Sequence, residues 1–321
     1  MTRWTRPLCR ALAALAGSLL LSTAAHAAGP MVKTQAPGYY RMMVGDFEVT
    51  ALFDGVIDVQ PTKLLTNTTP AQVNKLMARS FQKEPLPLSV NAYLINTGSK
   101  LVMVDAGTGS LGGPTLGGLA AHLKAAGYQP EQVDEIYITH LHFDHVGGLM
   151  QDGKIAFPNA VVRADRRDAE FWLSQANADK AQGEAKVFIQ HAITSLKPYV
   201  DAQRFKPFDG NTDLVPGVRA IGAHGHTAGH TIYLVESKGQ KLVLWGDLMH
   251  GAAVQFPQPQ VTIAFDSDSK AAAVQRKKAF AEAAKQGHVV GAAHLPFPGL
   301  GRLRTEGKGY GFVPVDYLPV K

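Results

Sequence analysis

Residues 139–145 read THLHFDH, from Thr139 to His145: three imidazoles and a carboxylate within seven positions. A histidine buried for packing needs one hydrogen-bond partner and gains nothing from neighbours of its own kind. Crowding of this sort points to a shared ligand. A strand presents residues i and i+2 on one side, so His140 and His142, at the end of a strand-like run Glu135–Thr139, face a common point. Asp144 and His145 follow in a turn aimed at a second point close by, and Gly147 and Gly148 let the chain fold back tightly behind them. Nitrogen and oxygen donors without sulfur suit zinc, and also manganese, iron or cobalt.

This cluster is too small to complete two metal sites, so further donors are expected downstream at other strand ends. HGHTAGH supplies His224, His226 and His230, LWGDLMH supplies Asp247 and His250, and AAHLPFPG supplies His294. His122, His191 and His288 have no such context and read as ordinary helix or loop residues.

The chain around these motifs has 321 residues, 45% hydrophobic and 18% charged, ample for a folded core. Residues 1–27 differ from the rest. Arg3, Arg6 and Arg10 precede an apolar run Ala11–Leu21 and then Ala25-His26-Ala27, the order of a secretory signal peptide with cleavage after Ala27. The run falls short of the ~20 apolar residues of a membrane-spanning helix. The expectation is an exported protein, periplasmic or secreted, without membrane attachment once the signal is removed.

The single cysteine, Cys9, lies in that segment, so the mature chain has no thiol for a disulfide or a thiolate ligand. Cleavage also removes three arginines and no acid, leaving 32 − 3 = 29 basic residues against 26 acidic ones. Nucleic-acid binding calls for a strongly basic face, and no run of like charges longer than Arg276-Lys277-Lys278 exists here. Small neutral molecules are the expected partners.

No linker, repeat or low-complexity tract divides residues 28–321, which read as one domain. Strand-like runs fall at 47–53, 92–96, 101–105, 135–139, 160–164, 218–222, 231–236, 241–246 and 289–293. Helical periodicity falls at 117–126, 165–175, 188–196 and 270–285. The last of these has Asp266, Ser267, Asp268 and Ser269 as candidate caps before it and Gly287 beyond it. Strands and helices alternate, and several strands end on Asp, Thr or His, as in α/β folds whose sites collect at strand ends.

The set His-x-His-x-Asp-His, Gly-His-Thr-x-Gly-His, Gly-Asp after a strand and a final isolated His, in that order, resembles the metallo-β-lactamase superfamily. The resemblance implies a four-layer αββα sandwich, two mixed β-sheets flanked by helices, with a dinuclear centre at one edge. It assigns His140, His142 and His226 to one metal, Asp144, His145 and His294 to the other, and Asp247 as the bridge. Asp105, in MVDAGTG, matches the aspartate that supports these ligands from behind. His224 and His230 fall off the ligand positions and read as supporting or packing residues.

Two divalent ions, zinc first, imply a hydrolase that attacks with a hydroxide shared between them. Asp247, Asp144 and His250 are then the expected catalytic residues. Thiol-bearing zinc β-lactamases carry a cysteine after the late Gly-Asp, where this chain has Leu248, which argues against β-lactam hydrolysis. Longer stretches, among them DSDSKAAAVQRKKAFAEAAK and TEGKGYGFVPV, resemble the methyl parathion hydrolase branch, whose members open aryl lactones such as dihydrocoumarin or cleave organophosphate triesters. Relatives of that kind suggest a homodimer. The resemblance places Trp172 and Phe188 on aromatic walls and Leu65, His250, Ile263 and Phe265 around the substrate. Phosphotriester-cleaving relatives have an additional aromatic in the loop that here reads Leu111-Gly112-Gly113-Pro114, and an apolar residue in place of His250. The expected preference is therefore a flat aryl lactone, with phosphotriester cleavage at most a side activity, acyl-homoserine lactones as a further alternative, and a non-catalytic metal-binding protein as the alternative from another class.

Overall fold

A computed structural model of the protein describes residue 1 and residues 29–320. Apart from Met1, the expected signal segment lies outside the described residues. The chain divides into two compact units, Met1–Ala36 and Pro37–Lys321. Residues 29–36 carry no helix or strand, and all elements below belong to the second unit. No helix among the described residues is long and apolar enough to cross a membrane.

The first sheet contains β1 (Tyr39–Val44), β2 (Phe47–Val59), β3 (Leu86–Asn96), β4 (Leu101–Val104), β5 (Glu135–Tyr137) and β6 (Val161–Arg163), side by side in chain order. β1 to β4 pair antiparallel, and β4, β5 and β6 pair parallel. The second sheet contains β7 (Thr212–Val215), β8 (Val218–Gly222), β9 (Thr231–Ser237), β10 (Gln240–Leu244), β11 (Val289–Gly291), β12 (Leu300–Glu306) and β13 (Gly309–Pro314), again in chain order. Only β10 and β11 are parallel there. The helices are α1 (Pro70–Arg79), α2 (Leu119–Ala125), α3 (Arg166–Trp172), α4 (Gln175–Lys180), α5 (Gly183–Asp201) and α6 (Ser269–Gln286), with several single turns besides.

Period-two alternation sorts the strand residues into layers. Leu94, Met103, Ile136 and Val162 turn outward and bury against Leu123, Trp172, Ile189 and Leu196 of α2, α3 and α5. Their neighbours Tyr93, Ile95, Val102, Val104 and Tyr137 turn inward onto Ala220, Tyr233, Val235, Leu242 and Val289 of the second sheet. The far face of that sheet, with Val243 and Val290, packs on Phe280 and Ala283 of α6. Helix, sheet, sheet, helix is thus the layer order, as expected.

The expected elements appear, some with shifted ends. β5 stops at Tyr137 because the Thr139 amide leaves the ladder and donates to Asp105 Oδ1 at 2.8 Å. α5 runs on both sides of the anticipated 188–196. α6 takes Asp268 as its cap, which accepts from the Ala271 amide, and ends on Gly287 in the left-handed conformation. Unanticipated are β1, β7, β12, β13, α1 and α4. β12 and β13 alternate charged or glycine residues with few apolar ones, so their ladder is set by the neighbouring strand more than by their own pattern.

Candidate metal centre

Every histidine or aspartate of the anticipated ligand set follows a strand that ends at the same edge of the sandwich. Asp105 follows β4, His140 and His142 follow β5, and Asp144 and His145 lie in the single turn Phe143–Val146. His226 lies between β8 and β9, Asp247 follows β10, and His294 follows β11. The four parallel strand ends among these carry their side chains beyond the last hydrogen bond of the ladder, where donors from both sheets meet.

The structure brings the seven together in two buried groups that share Asp247: His140, His142 and His226 with Asp247, and Asp144, His145 and His294 with Asp247. Within each group one donor atom per residue lies within 4.8 Å of all the others. In the first, His140 Nε2 is 3.0 Å and His226 Nε2 is 3.2 Å from His142 Nδ1. Asp247 Oδ2 is 3.3 Å from His226 Nε2 and 3.6 Å from His140 Nε2. In the second, Asp144 Oδ2 is 3.4 Å from both His145 Nε2 and His294 Nε2. Asp247 faces this group too, with Oδ1 at 3.2 Å from His145 Nε2 and Oδ2 at 3.1 Å from His294 Nε2.

These donors fit two metal ions. His145 Nε2 and Asp247 Oδ1 are buried without a hydrogen-bond partner, an arrangement that costs roughly 1–3 kcal/mol per atom unless a cation takes the lone pair. All donors are nitrogen or oxygen, the set zinc accepts. Burial, followed by the nearby His226, holds the His142 imidazole down at about 3, so it stands neutral with a lone pair to give. Burial also opposes charge on His226, but hydrogen bonds to Asp247 and Asp266 overcome it and lift that imidazole to about 9. His145 and His294 are raised in the same way, by Asp247 first among the carboxylates. The metal-free site therefore holds protons at positions where cations would sit.

The supports are equally specific. Asp105, in the left-handed conformation at φ 62°, accepts from the Thr139 amide and faces His145 Nδ1 at 2.8 Å, leaving Nε2 for the centre. His294 Nδ1 donates to the Ser89 carbonyl at 2.8 Å. His230 spans from the Ala223 carbonyl to the Asp247 amide, which donates to its Nε2 at 3.1 Å. His224 sits apart, against Arg167. Gly147 and Gly148 serve as expected but for a different reason. Neither has a positive φ; a Cβ on Gly148 would stand 1.9 Å from the Ala106 carbonyl, so the two loops can touch only through glycine.

His250 touches Asp247 Oδ2 with Nε2 at 3.0 Å and stacks on His294 with ring centroids 5.0 Å apart. Burial keeps it down at about 4. The six anticipated pocket residues fall into two groups. Leu65, His250, Ile263 and Phe265 line one recess together with Val59 and Leu88, and Leu65 pairs with Ile263 in a two-residue ladder. Trp172 and Phe188 instead face His142, at 4.9 Å and 5.8 Å between ring centroids, and Trp172 also belongs to the helix-side core.

Reading the sequence missed the groups that hold the ligand loops. Asp168 accepts from the Leu141 amide at 3.2 Å, Thr227 Oγ1 at 2.8 Å and the Gly229 amide at 2.6 Å, tying the first histidine loop to the second. Burial pushes its carboxyl up to about 6 against those three donors. Asp54 accepts from Thr108, Gly117 and Leu119 and shapes the glycine-rich loop behind Asp105. Asp266, which faces His226 Nδ1 at 2.9 Å, showed in the sequence only as one of four candidate caps in DSDS.

The model of the metallo-beta-lactamase superfamily matches residues 85–294, and the chain belongs to that family. It is a metal-dependent hydrolase with two metal ions in its centre. An N-acyl homoserine lactonase from Bacillus sp is 27% identical over 215 residues, covering 61% of this chain and 77% of that protein. Among solved structures, the hydrolase AbOPH of the beta lactamase superfamily superposes with a TM-score of 0.84 at 38% identity, covering 89% of this chain and all of that one. AidC, a dizinc quorum-quenching lactonase with N-hexanoyl-homoserine product bound, gives 0.81 at 25% identity over 88% of this chain and 99% of its own.

Proposed function

We propose that this hydrolase opens aryl lactones and related neutral esters of the dihydrocoumarin kind. The observation that carries the reading is the recess beside His250. Its wall is formed by Val59, Pro61, Leu65, Leu88, Ile263 and Phe265 and presents no charged side chain. The recess holds only about 20 Å³, so a neutral, flat, apolar group would lie against its mouth and not inside it; an anionic one would lose its hydration there without a partner. Bound metal ions would supply Lewis acidity and an acidified water. The seven donor residues would hold them, with Asp247 shared between the sites. His250, hydrogen-bonded to that carboxylate and lining the recess, would orient the substrate carbonyl or the departing oxygen. Ile263, Phe265 and the His250 ring, side by side on that recess, would leave a tetrahedral phosphotriester less room than a flat lactone.

Acyl-homoserine lactones are the second reading, favoured by the activity of the Bacillus and AidC relatives. The test is a panel of dihydrocoumarin, acyl-homoserine lactones, aryl esters and methyl parathion, run with and without chelator. Dihydrocoumarin is expected to be turned over fastest, and chelator to stop it. Faster turnover of methyl parathion would reverse the assignment, and faster turnover of acyl-homoserine lactones would favour the second reading. Residues 3–27, with their basic, apolar and small-residue order, support export of the enzyme after cleavage behind Ala27.

A further inference from the structure

A buried arginine and a buried aspartate stand behind the first metal site, and neither belongs to the ligand set. The Asp266 carboxylate is fully enclosed. Its Oδ1 lies 2.9 Å from His226 Nδ1, and its Oδ2 accepts from the Ile263 amide at 3.1 Å. One carboxylate thus holds both an imidazole of the centre and the backbone of a residue on the apolar recess. The same loop is stitched to the histidine loop twice more, by the Ser267 amide donating to the His226 carbonyl at 2.9 Å and the Asp268 amide to the Gly225 carbonyl at 2.8 Å.

Arg276, projecting from α6 and wholly buried, closes the arrangement. Its Nη2 stands 3.8 Å from Asp266 Oδ2. Nε donates to the Leu248 carbonyl at 2.7 Å, and Nη1 donates to the carbonyls of Val261 at 2.6 Å and Pro259 at 3.2 Å. Leu248 directly follows Asp247, so a single guanidinium grips the strand end that carries the shared carboxylate and both ends of the loop that carries Ile263. Gln255 reinforces it, accepting from the His250 amide at 2.7 Å and donating to the Val261 carbonyl at 3.0 Å. A planar five-donor group suits this task, and an ammonium, a point charge with three donors, does not.

We propose that Asp266 and Arg276 are positioning residues that couple the substrate recess to the first metal site. Asp266 takes the Nδ1–H of His226, which fixes the tautomer and leaves Nε2 for the metal, and through the Ile263 amide it sets the recess wall at the same moment. Arg276 holds that carboxylate in place and keeps the Asp247 turn in register with it. The inference rests on His226 serving as a ligand of the first site. It does not depend on which ester is hydrolysed.

The test uses the full mature chain, loaded with cobalt, and reads the affinity of each ion by chelator competition, the cobalt absorption spectrum, and KM and kcat separately. Asp266→Ala is expected to weaken one of the two ions by about 10- to 100-fold, to leave the other near its wild-type value, to change the cobalt spectrum and to raise KM. Asp266→Asn, which keeps the shape but has one acceptor oxygen for two donors, is expected to fall between, and it decides the matter if the alanine variant does not fold. Arg276→Lys is expected to shift the spectrum and KM with the fold retained by circular dichroism. Lower thermal stability with both affinities, the spectrum and KM unchanged would overturn the coupling. His226→Ala serves as the control: if it still binds both ions normally, the ligand assignment has failed, and not the coupling.

Discussion

Asp247 is the side chain on which both groups of donors depend, because its Oδ2 faces His226 of the first and His294 of the second while its Oδ1 faces His145. Asp247→Ala should remove at least one ion and lower hydrolysis by about a hundred- to a thousandfold or more, checked by elemental analysis beside a rate assay. Retained activity with both ions bound would refute the bridging role. His230 acts one step back. His230→Ala leaves the buried Asp247 amide unpaired, at about 1–3 kcal/mol, which chemical unfolding of the metal-free protein would register. The raised His226 imidazole makes metal binding a competition with protons. In the metal-free protein its proton contributes stability that is complete below pH 6.5 and lost as the pH rises through about 9. Metal must displace that proton, so affinity should climb by about tenfold per pH unit for each proton displaced, up to about pH 9 for His226. Chelator titrations from pH 6 to pH 9 would measure the slope, and a flat profile would contradict the assignment.

Elements act here as holders of loop ends. The Phe143–Val146 turn sits against the loop after β4 only because Gly147 and Gly148 bring no Cβ between them. Gly148→Ala would place a methyl 1.9 Å from the Ala106 carbonyl and force the two loops apart. Loss of metal retention together with lower stability is the expected result, and an alanine variant that keeps both ions would show the contact to be dispensable. α6 is anchored by Phe280, fully buried between Trp245 at 5.2 Å and Phe256 at 5.1 Å. Phe280→Ala should cost about 3–5 kcal/mol in urea unfolding. Because Arg276 lies one turn earlier on the same helix, that variant should also weaken the first metal site. The strands at this edge are short by contrast. β5 and β11 have three residues each, so their ends are set by what the next residues bind and only secondarily by strand propensity.

At the scale of the molecule, the two sheets lie in chain order, and their parallel strand ends bring donors from residues 140 and 294 to one edge. Ions that bind only the folded chain stabilise it by mass action, roughly 4 kcal/mol for each held at a thousandfold over its dissociation constant. Thermal unfolding with and without chelator should separate accordingly, and coincident transitions would argue against a metal-bound fold. Apolar runs such as Tyr93 to Ile95 and Val102 to Val104 were enough to read those strands, but being apolar throughout they left it to the packing to decide which residue faces which layer. The histidine motifs, each local and ordered along the chain, were enough to name the seven donors that the structure gathers into two groups. Both signals survive in one dimension because residue type and spacing carry them. What tertiary structure alone decided was everything that depends on contact between distant segments. Asp266 binds His226 and not a helix end, Arg276 joins the turn after Asp247 to the loop that carries Ile263, Asp168 ties Leu141 to Gly229, and the six pocket residues divide between a recess and an aromatic wall. None of these has a spacing to recognise, because hydrogen bonds between residues 15 to 61 apart leave no periodic trace in the sequence.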